Sequence, residues 1–294
     1  MAAGDDFRRF RYEEQGPASP AEPPQGRLIA IVSPKGGVGK TFLAVNLAVL
    51  FSERSRRVAL LDLDLAAGDI GLQLDLLQGP TIVDLLPYLE GMEPETLDRF
   101  VTHYKTGLKV LLAPPRPELA DMVSPADVAK VLDLAPSHYS FVFIDTPSNP
   151  ANEVLLETLE RSHRMVLVLT QDVGALRRTR LFLNVLERLG LAPGEKIIPV
   201  LNMASRESPA STSQVMAFLG LKGLVLLADD RPLVDRTVFN GQPLVTAARE
   251  AQLAKGVLEV AQLLSPDLFA VQPPAVPKGV FLWPPWRKKA SSQL

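Results

Sequence analysis

Short apolar runs alternate along this chain with longer segments whose apolar residues recur at helical spacing. The runs carry apolar side chains at consecutive positions, which is typical of strands covered by helices on both faces of a parallel sheet. They span residues 27–33, 58–64, 108–113, 141–145, 165–170 and 197–202. Helices are predicted at residues 40–53, 151–161, 174–189 and 249–264. This alternation predicts an α/β fold, with a doubly wound, mostly parallel sheet flanked by helices.

The two ends of the chain differ from its middle in composition. Residues 1–26 have no apolar periodicity and end in GPASPAEPPQG, so we expect a flexible lead-in there. Residues 266–294 are rich in proline and contain both tryptophans beside a basic run, and we expect an irregular tail. Residues 27–265 are therefore predicted to form one domain.

Composition excludes several classes of protein. The chain has 294 residues, of which 47% are hydrophobic and 22% charged, as in ordinary globular proteins. It has no cysteine, which excludes disulfides, thiolate metal sites and cysteine nucleophiles. A net charge of −2 argues against coating nucleic acid through bulk charge. No run of 18 or more apolar residues occurs, and we expect a cytoplasmic protein.

A glycine-rich segment, KGGVGKT at residues 35–41, directly follows the first predicted strand and opens the first helix. Such glycines allow a tight turn whose N–H groups surround phosphate oxygens at a helix N-terminus. Lys40 is predicted to reach the β- and γ-phosphates, and the Thr41 hydroxyl to hold Mg²⁺. Pro34 replaces the first glycine of the ordinary pattern, and Lys35 is an additional lysine. The predicted nucleotide-binding residues of this segment are Gly36, Gly37, Val38, Gly39, Lys40, Thr41 and Phe42.

Acidic residues end two other predicted strands. Asp62 and Asp64 close the second strand, and Asp145 closes the run FVFID. The ligand crevice of an open parallel sheet lies beyond the carboxyl ends of its strands, so these acids are expected near the terminal phosphate. We predict that Asp145 holds Mg²⁺, through a water molecule, because Mg²⁺ retains much of its hydration shell. Asp62 is predicted to support the Mg²⁺ shell or the backbone of the following switch.

These motifs resemble the MinD/ParA family of deviant Walker A ATPases, and the resemblance covers about residues 27–265. It implies a phosphate-loop fold, ATP and Mg²⁺ as cofactors, and an ATP-dependent homodimer with slow, partner-stimulated hydrolysis. Lys35 would contact the partner's nucleotide and act in catalysis with Lys40, while Asp64 would orient the attacking water. Phe42 departs from the family, which usually has a second serine or threonine contacting the α-phosphate. A nucleotide-binding scaffold with little turnover is therefore the non-enzymatic alternative.

The resemblance also implies where the base is recognised. Asn202 stands where relatives place an asparagine that reads adenine, unless it is an ordinary turn residue. Residues 226–246 resemble the stretch that folds over the base, with Asp230 near its turn and Ala228 in place of a proline. No NKxD or TKxD sequence occurs, so the usual guanine-reading motif is missing and ATP is favoured.

The absence of certain residue types excludes some members of this family as models for the function. Relatives that carry clusters or deliver metals use cysteine, and the related tyrosine kinases have tyrosine-rich tails, whereas no tyrosine follows Tyr139 here. Residues 62–86, 111–135 and 169–190 resemble the TadZ/CpaE pilus-localisation group. That resemblance implies placement of a Tad/Flp-type pilus or a secretion apparatus at a cell pole, with pilus, secretion or polar-localisation proteins as partners.

Two other cellular functions remain as alternatives to pilus placement. A ParA-like DNA-partitioning ATPase would bind DNA through basic surface, and Arg177, Arg180 and Arg188 fall on one face of a predicted helix. A MinD-like protein would lie at the inner face of the membrane, and FLWPPWRKK at residues 281–289 combines aromatic rings with cations. Pro284 and Pro285 disfavour a continuous helix there. A partner-docking peptide or a tail packed on its own domain is therefore preferred to a membrane anchor.

Overall fold

Eight strands and eleven α-helices follow one another in a computed structural model that describes residues 25–191, 196–205 and 207–270. The strands are β1 (Arg27–Val32), β2 (Val58–Asp62), β3 (Thr102–His103), β4 (Lys109–Leu111), β5 (Phe141–Asp145), β6 (Arg164–Leu169), β7 (Ile197–Ala204) and β8 (Val225–Ala228). The helices are α1 (Lys40–Ser52), α2 (Ile70–Gln73), α3 (Ile82–Leu85), α4 (Pro125–His138), α5 (Glu153–Arg161), α6 (Val173–Arg188), α7 (Thr212–Leu219), α8 (Arg231–Phe239), α9 (Leu244–Ala247), α10 (Gln252–Leu264) and α11 (Pro266–Phe269). Three short 3₁₀ helices occupy Leu86–Tyr88, Pro94–Arg99 and Pro117–Met122.

The strands form one sheet in the order β3-β4-β2-β5-β1-β6-β7-β8. All neighbours are parallel except β3 and β4, so the predicted α/β class with a mostly parallel sheet is confirmed. All six predicted strands and all four predicted helices are present. The two edge strands were not predicted, because β3 has two residues and β8 four, too few for a clear pattern.

Alternate residues of β1 bury opposite faces of the sheet. Leu28, Ala30 and Val32 belong to the cores formed with α4, α5, α6 and α7. Ile29 and Ile31 belong to the core formed with α1 and α10. Because successive side chains of a strand point to opposite faces, a strand covered on both sides needs an uninterrupted apolar run. This explains the composition of the central strands.

Helix α1 is enclosed between the sheet and α10. Every residue of α1 is buried except Thr41, which is half-buried. A helix that is apolar on all sides requires such a central position. The packing therefore fixes the start of α1, and with it the phosphate loop, relative to the strand ends.

The C-terminal packing continues beyond residue 265. Phe269 in α11 is buried, with its ring centroid 4.8 Å from that of Phe51, and the Arg54 guanidinium lies 4.4 Å from the Phe269 centroid. The start of the predicted irregular tail is thus helical and joined to the core. The lead-in up to residue 24 and residues 271–294 lie outside the described residues. Within the described ranges, no helix is long and apolar enough to cross a membrane.

Candidate functional site

The loop at residues 33–39 joins β1 to α1 and forms the base of the site. Gly37 and Gly39 have φ angles of 74° and 93°, a left-handed conformation that glycine adopts without strain. Gly39 is the N-cap of α1 and, having no side chain, it accepts no capping hydrogen bond from the first turn. The first N–H groups of α1 are therefore available to an anion, at the positive end of the helix dipole.

Lys40, the first residue of α1, is buried and extends towards the loop after β5. Its Nζ donates a hydrogen bond to Ser148 Oγ at 2.5 Å. A buried lysine held by a neutral hydroxyl retains two further N–H donors for an acceptor of opposite charge. The ammonium is thus placed where the glycine loop and the end of β5 meet.

Thr41 and Asp145 are joined directly. Thr41 Oγ1 donates to Asp145 Oδ2 at 2.6 Å, while Asp145 Oδ1 is buried and has no hydrogen-bond partner among the described residues. Burial raises the pKa of Asp145 to about 6, although the Thr41 hydrogen bond and the charge of Lys40 lower it. An unpartnered carboxylate oxygen beside a hydroxyl fits the oxygen ligands that Mg²⁺ prefers. Among the described residues, no group of three or more His, Cys, Asp or Glu is arranged to hold a metal, so these oxygens would be supplemented by water and phosphate.

Asp62 lies opposite Asp145 in the β2–β5 register and is also buried. Its Oδ2 accepts a hydrogen bond from the Ile70 backbone N–H at 3.2 Å, and within the part of the chain that the structure describes its Oδ1 has no partner. Burial and the neighbouring Asp145 raise the pKa of Asp62 well above its usual range. A Cβ on Gly68 would lie 2.6 Å from Asp62 Oδ2, so the segment after β2 packs directly on this carboxyl. The contacts of Asp62 therefore hold the backbone that follows β2.

Asp64 lies two residues beyond the end of β2 and is half-buried. Its burial raises the pKa, and the charge of Lys40 opposes that rise. Its backbone carbonyl accepts a hydrogen bond from Ala67 N at 2.9 Å, which forms a turn. Asp64 thus lies within electrostatic range of Lys40 and Asp145.

Lys35 contacts its own chain. Its Nζ lies 2.8 Å from Asp172 Oδ2, at the N-terminus of α6. Asp172 also accepts hydrogen bonds from Thr170 Oγ1 and from the Ala175 backbone N–H. Partial burial raises the pKa of Asp172, but the bonds from Lys35, Thr170 and Ala175 outweigh it and lower the pKa to about 2. Asp172 is therefore ionised at neutral pH, and it holds the Lys35 ammonium of the same chain.

Asn202 and Asp230, the predicted base-binding residues, line a cavity of about 200 Å³ beside Gly37 and Gly39 of the loop. Phe42 is buried at the wall of this cavity. Its side chain has no hydroxyl to offer a phosphate. Asn202 lines the cavity while its Nδ2 donates to the Val38 carbonyl at 2.8 Å. Asp230 caps α8 by accepting from Leu233 N at 3.2 Å. Met203, which has a φ of 52°, and Arg231 complete this wall.

Sequence reasoning did not identify three residues of the site. Ser148 holds Lys40 and Asp172 holds Lys35, while the Thr170 hydroxyl donates to Asp172. Asp172 precedes the predicted helix and has the residue type of an N-cap, which was a detectable pattern. Ser148 follows Asp145 by three residues, but nothing local shows that Lys40 reaches it. The contact spans 108 positions and depends on β1 and β5 being neighbours.

Comparison with known proteins identifies the family. Residues 29–217 match the family model described as the CobQ/CobB/MinD/ParA nucleotide binding domain. The septum site-determining protein MinD of Thermotoga maritima is 24% identical over 217 residues, covering 71% of this chain and 78% of that protein.

Solved structures share the fold. A ParA family ATPase from Chlorobium tepidum has a TM-score of 0.74 at 23% identity, covering 80% of this chain and 98% of its own. The septum site-determining protein MinD from Pyrococcus horikoshii, complexed with Mg-ADP, has a TM-score of 0.70 at 24% identity, covering 82% and 96%. The family model spans more than half of the chain, which therefore belongs to the CobQ/CobB/MinD/ParA family of nucleotide-binding domains.

Proposed function

We propose that this protein is an ATP-hydrolysing switch that dimerises with ATP and positions another cellular assembly. The observation that carries the proposal is the pairing of Thr41 with Asp145, whose second carboxylate oxygen is buried without a partner in the described residues. A buried, unpartnered carboxylate oxygen is costly unless a ligand completes it. Its place beside a glycine loop and a lysine fits a magnesium–nucleotide complex.

Each residue has a defined task in this proposal. Lys40 and the free N–H groups at the start of α1 bind the phosphates, and Lys40 exchanges its contact with Ser148 for phosphate oxygens. Thr41 and Asp145 would hold Mg²⁺, which neutralises phosphate charge when bound. Asp64 orients the attacking water, and Asp62 holds the segment from Leu63 to Ile70 in place. Phosphoryl transfer needs little more than this positioning and charge stabilisation.

Dimerisation requires Lys35 to change partners. In the single chain it is paired with Asp172, whereas the proposed dimer needs its ammonium at the partner's nucleotide. The pair is accessible, with side chains 33% and 48% exposed, so exchanging it costs little. A nucleotide with several negative charges offers a stronger electrostatic partner than one carboxylate.

The assembly that we propose as cargo is a Tad/Flp-type pilus or a secretion apparatus, reached from the cytoplasm at a cell pole or the inner face of the membrane. The proposal rests on the similarity of residues 62–86, 111–135 and 169–190 to the pilus-localisation group. The names of the curated relatives favour a second candidate, determination of the division site. Counting pili and septum positions in a strain lacking the gene separates the two, since each candidate disturbs one of them.

The DNA-partitioning alternative depends on α6. This helix exposes Arg177, Arg180 and Arg188 to solvent. If they form a DNA surface, binding with ATP falls steeply with salt. Titration of fluorescent DNA at 50 and 200 mM salt tests it, with the triple alanine variant as the comparison; salt-sensitive binding lost in that variant would favour partitioning over pilus placement.

Hydrolysis is tested by phosphate release. Wild-type protein is expected to hydrolyse ATP with Mg²⁺, while Asp64→Ala binds ATP with similar affinity but loses turnover. Asp69→Ala is a matched control, since it removes an exposed aspartate of the same segment. Equal, background rates for the wild type and Asp64→Ala would leave only the scaffold alternative.

Dimerisation is tested by light scattering. With ADP a monomer mass is expected, and with a slowly hydrolysed ATP analogue a dimer. Lys35→Ala should remain monomeric with both ligands. Lys222→Ala, an exposed lysine beside β8, should dimerise like the wild type. One mass under all conditions would contradict the switch.

A further inference from the structure

Asn202 in β7 forms a direct connection between the sheet and the phosphate loop. Its side-chain Nδ2 donates a hydrogen bond to the backbone carbonyl of Val38 at 2.8 Å, and the residue is 6% exposed. The two residues are 164 positions apart in the chain. A buried hydrogen bond of this kind is costly to break, because the carbonyl then loses its partner.

The Asn202 amide also packs closely against Gly39, the residue after Val38. A Cβ on Gly39 would lie 2.4 Å from Asn202 Nδ2, so the loop backbone lies directly against the amide. Gly39 already requires glycine because of its φ of 93°. It is followed at once by Lys40, so a displacement of Val38 and Gly39 moves the lysine and the first N–H groups of α1.

We infer that Asn202 is a positioning residue for the phosphate loop, acting through the Val38 carbonyl, and not only a reader of the base. The inference rests on the proposed function. It makes a distinct prediction, because phosphates are common to all nucleoside triphosphates and to inorganic tripolyphosphate. A residue that reads the base affects only ligands that have one, whereas a residue that positions the loop affects every ligand with phosphates.

The experiment compares binding of ATP and tripolyphosphate by isothermal titration calorimetry, for the wild type and for Asn202→Ala. We expect Asn202→Ala to weaken tripolyphosphate binding about five- to tenfold, the value of one buried hydrogen bond, and ATP binding by at least the same factor. Unchanged tripolyphosphate binding with weakened ATP binding would overturn the inference and leave a base reader. A wild-type protein that binds neither ligand would instead count against the proposed function itself.

Asn46→Ala is the matched control. Asn46 is buried in α1, and its amide donates to the Phe42 carbonyl and accepts from Val245 N. It does not touch residues 33–39 through these bonds. If Asn46→Ala is destabilised as much as Asn202→Ala but keeps tripolyphosphate affinity, general loosening is excluded. Equal losses of affinity in both would contradict the inference. If Asn202→Ala does not fold, Asn202→Ser, which also removes the amide donor, replaces it.

Discussion

The two ends of the nucleotide crevice are built differently. At the phosphate end, formed by residues 33–41 with Asp145 and Ser148, polar side chains meet each other and one carboxylate oxygen has no partner. At the proposed base end, the cavity lined by Phe42, Asn202 and Asp230, the side chains of Asn202 and Asp230 are bound to backbone groups of the protein. The phosphate end is thus prepared for a charged ligand at some cost in stability, and the base end is stabilised by its own structure.

The largest effect is expected at the phosphate end. Lys40→Ala removes the buried ammonium that is proposed to stabilise phosphate charge, and we expect ATP turnover to fall by about a thousandfold or more. Phosphate release over a range of ATP concentrations measures it. Lys222→Ala should have no effect; a Lys40→Ala enzyme with more than a tenth of wild-type turnover would remove Lys40 from the mechanism.

At the base end the main effect should be on stability. Phe42 is buried at the cavity wall, and Phe42→Ala is expected to lower the free energy of unfolding by about 3–4 kcal/mol through lost burial and an enlarged cavity. Urea denaturation measures this. Phe239, which is 91% exposed in α8, supplies the control, because Phe239→Ala should change stability by less than about 0.5 kcal/mol. Similar losses in the two variants would show that Phe42 does not pack as described.

The buried carboxylate at the phosphate end should make the free energy of unfolding depend on pH. The folded-state pKa of Asp145 is about 6, against an ordinary value of 3.8, so the native state binds more protons than the unfolded chain between these values. Stability of the nucleotide-free protein should therefore fall as pH rises from about 4 to 6. Asp62 shifts in the same direction.

Asp145→Asn removes the buried charge while keeping an acceptor for Thr41. The nucleotide-free variant is expected to gain at most about 3 kcal/mol at pH 7 and to lose part of the pH dependence. Urea denaturation at pH 5 and pH 7 measures both, and ATP turnover should be lost in the same variant. A variant less stable than the wild type at pH 7 would mean that burial does not penalise this carboxylate.

The smallest effect is expected for the pair of Lys35 with Asp172. Both side chains are accessible, so Lys35→Ala should change the free energy of unfolding by less than about 1 kcal/mol. Asp172→Ala should cost more, about 1 kcal/mol, because it also removes the N-cap of α6. Thermal denaturation at low and high salt measures both. A larger loss for Lys35→Ala would make the pair a structural bond and argue against its exchange on dimerisation.

Prediction from sequence succeeded where the pattern is local. The apolar runs of the central strands follow from burial on both faces of the sheet, and the glycines at 37 and 39 follow from a left-handed backbone. It failed for β3 and β8, which are too short for periodicity, and for Ser148 and Asp172, which are defined by contacts with distant lysines. The start of the predicted tail is helical because Phe269 packs on Phe51, a contact that the proline content does not reveal.

By itself the sequence determined the α/β class, the glycine-rich loop at residues 33–39 and the acids at the strand ends. Neighbouring residues decide these features, through steric freedom at glycine, the alternation of side chains and the dipole of one helix. Only the tertiary structure decided which groups hold Lys35 and Lys40, and that Asn202 is bound to the phosphate loop. The physical reason is that these contacts join residues more than a hundred positions apart, and the order of the strands alone brings them together.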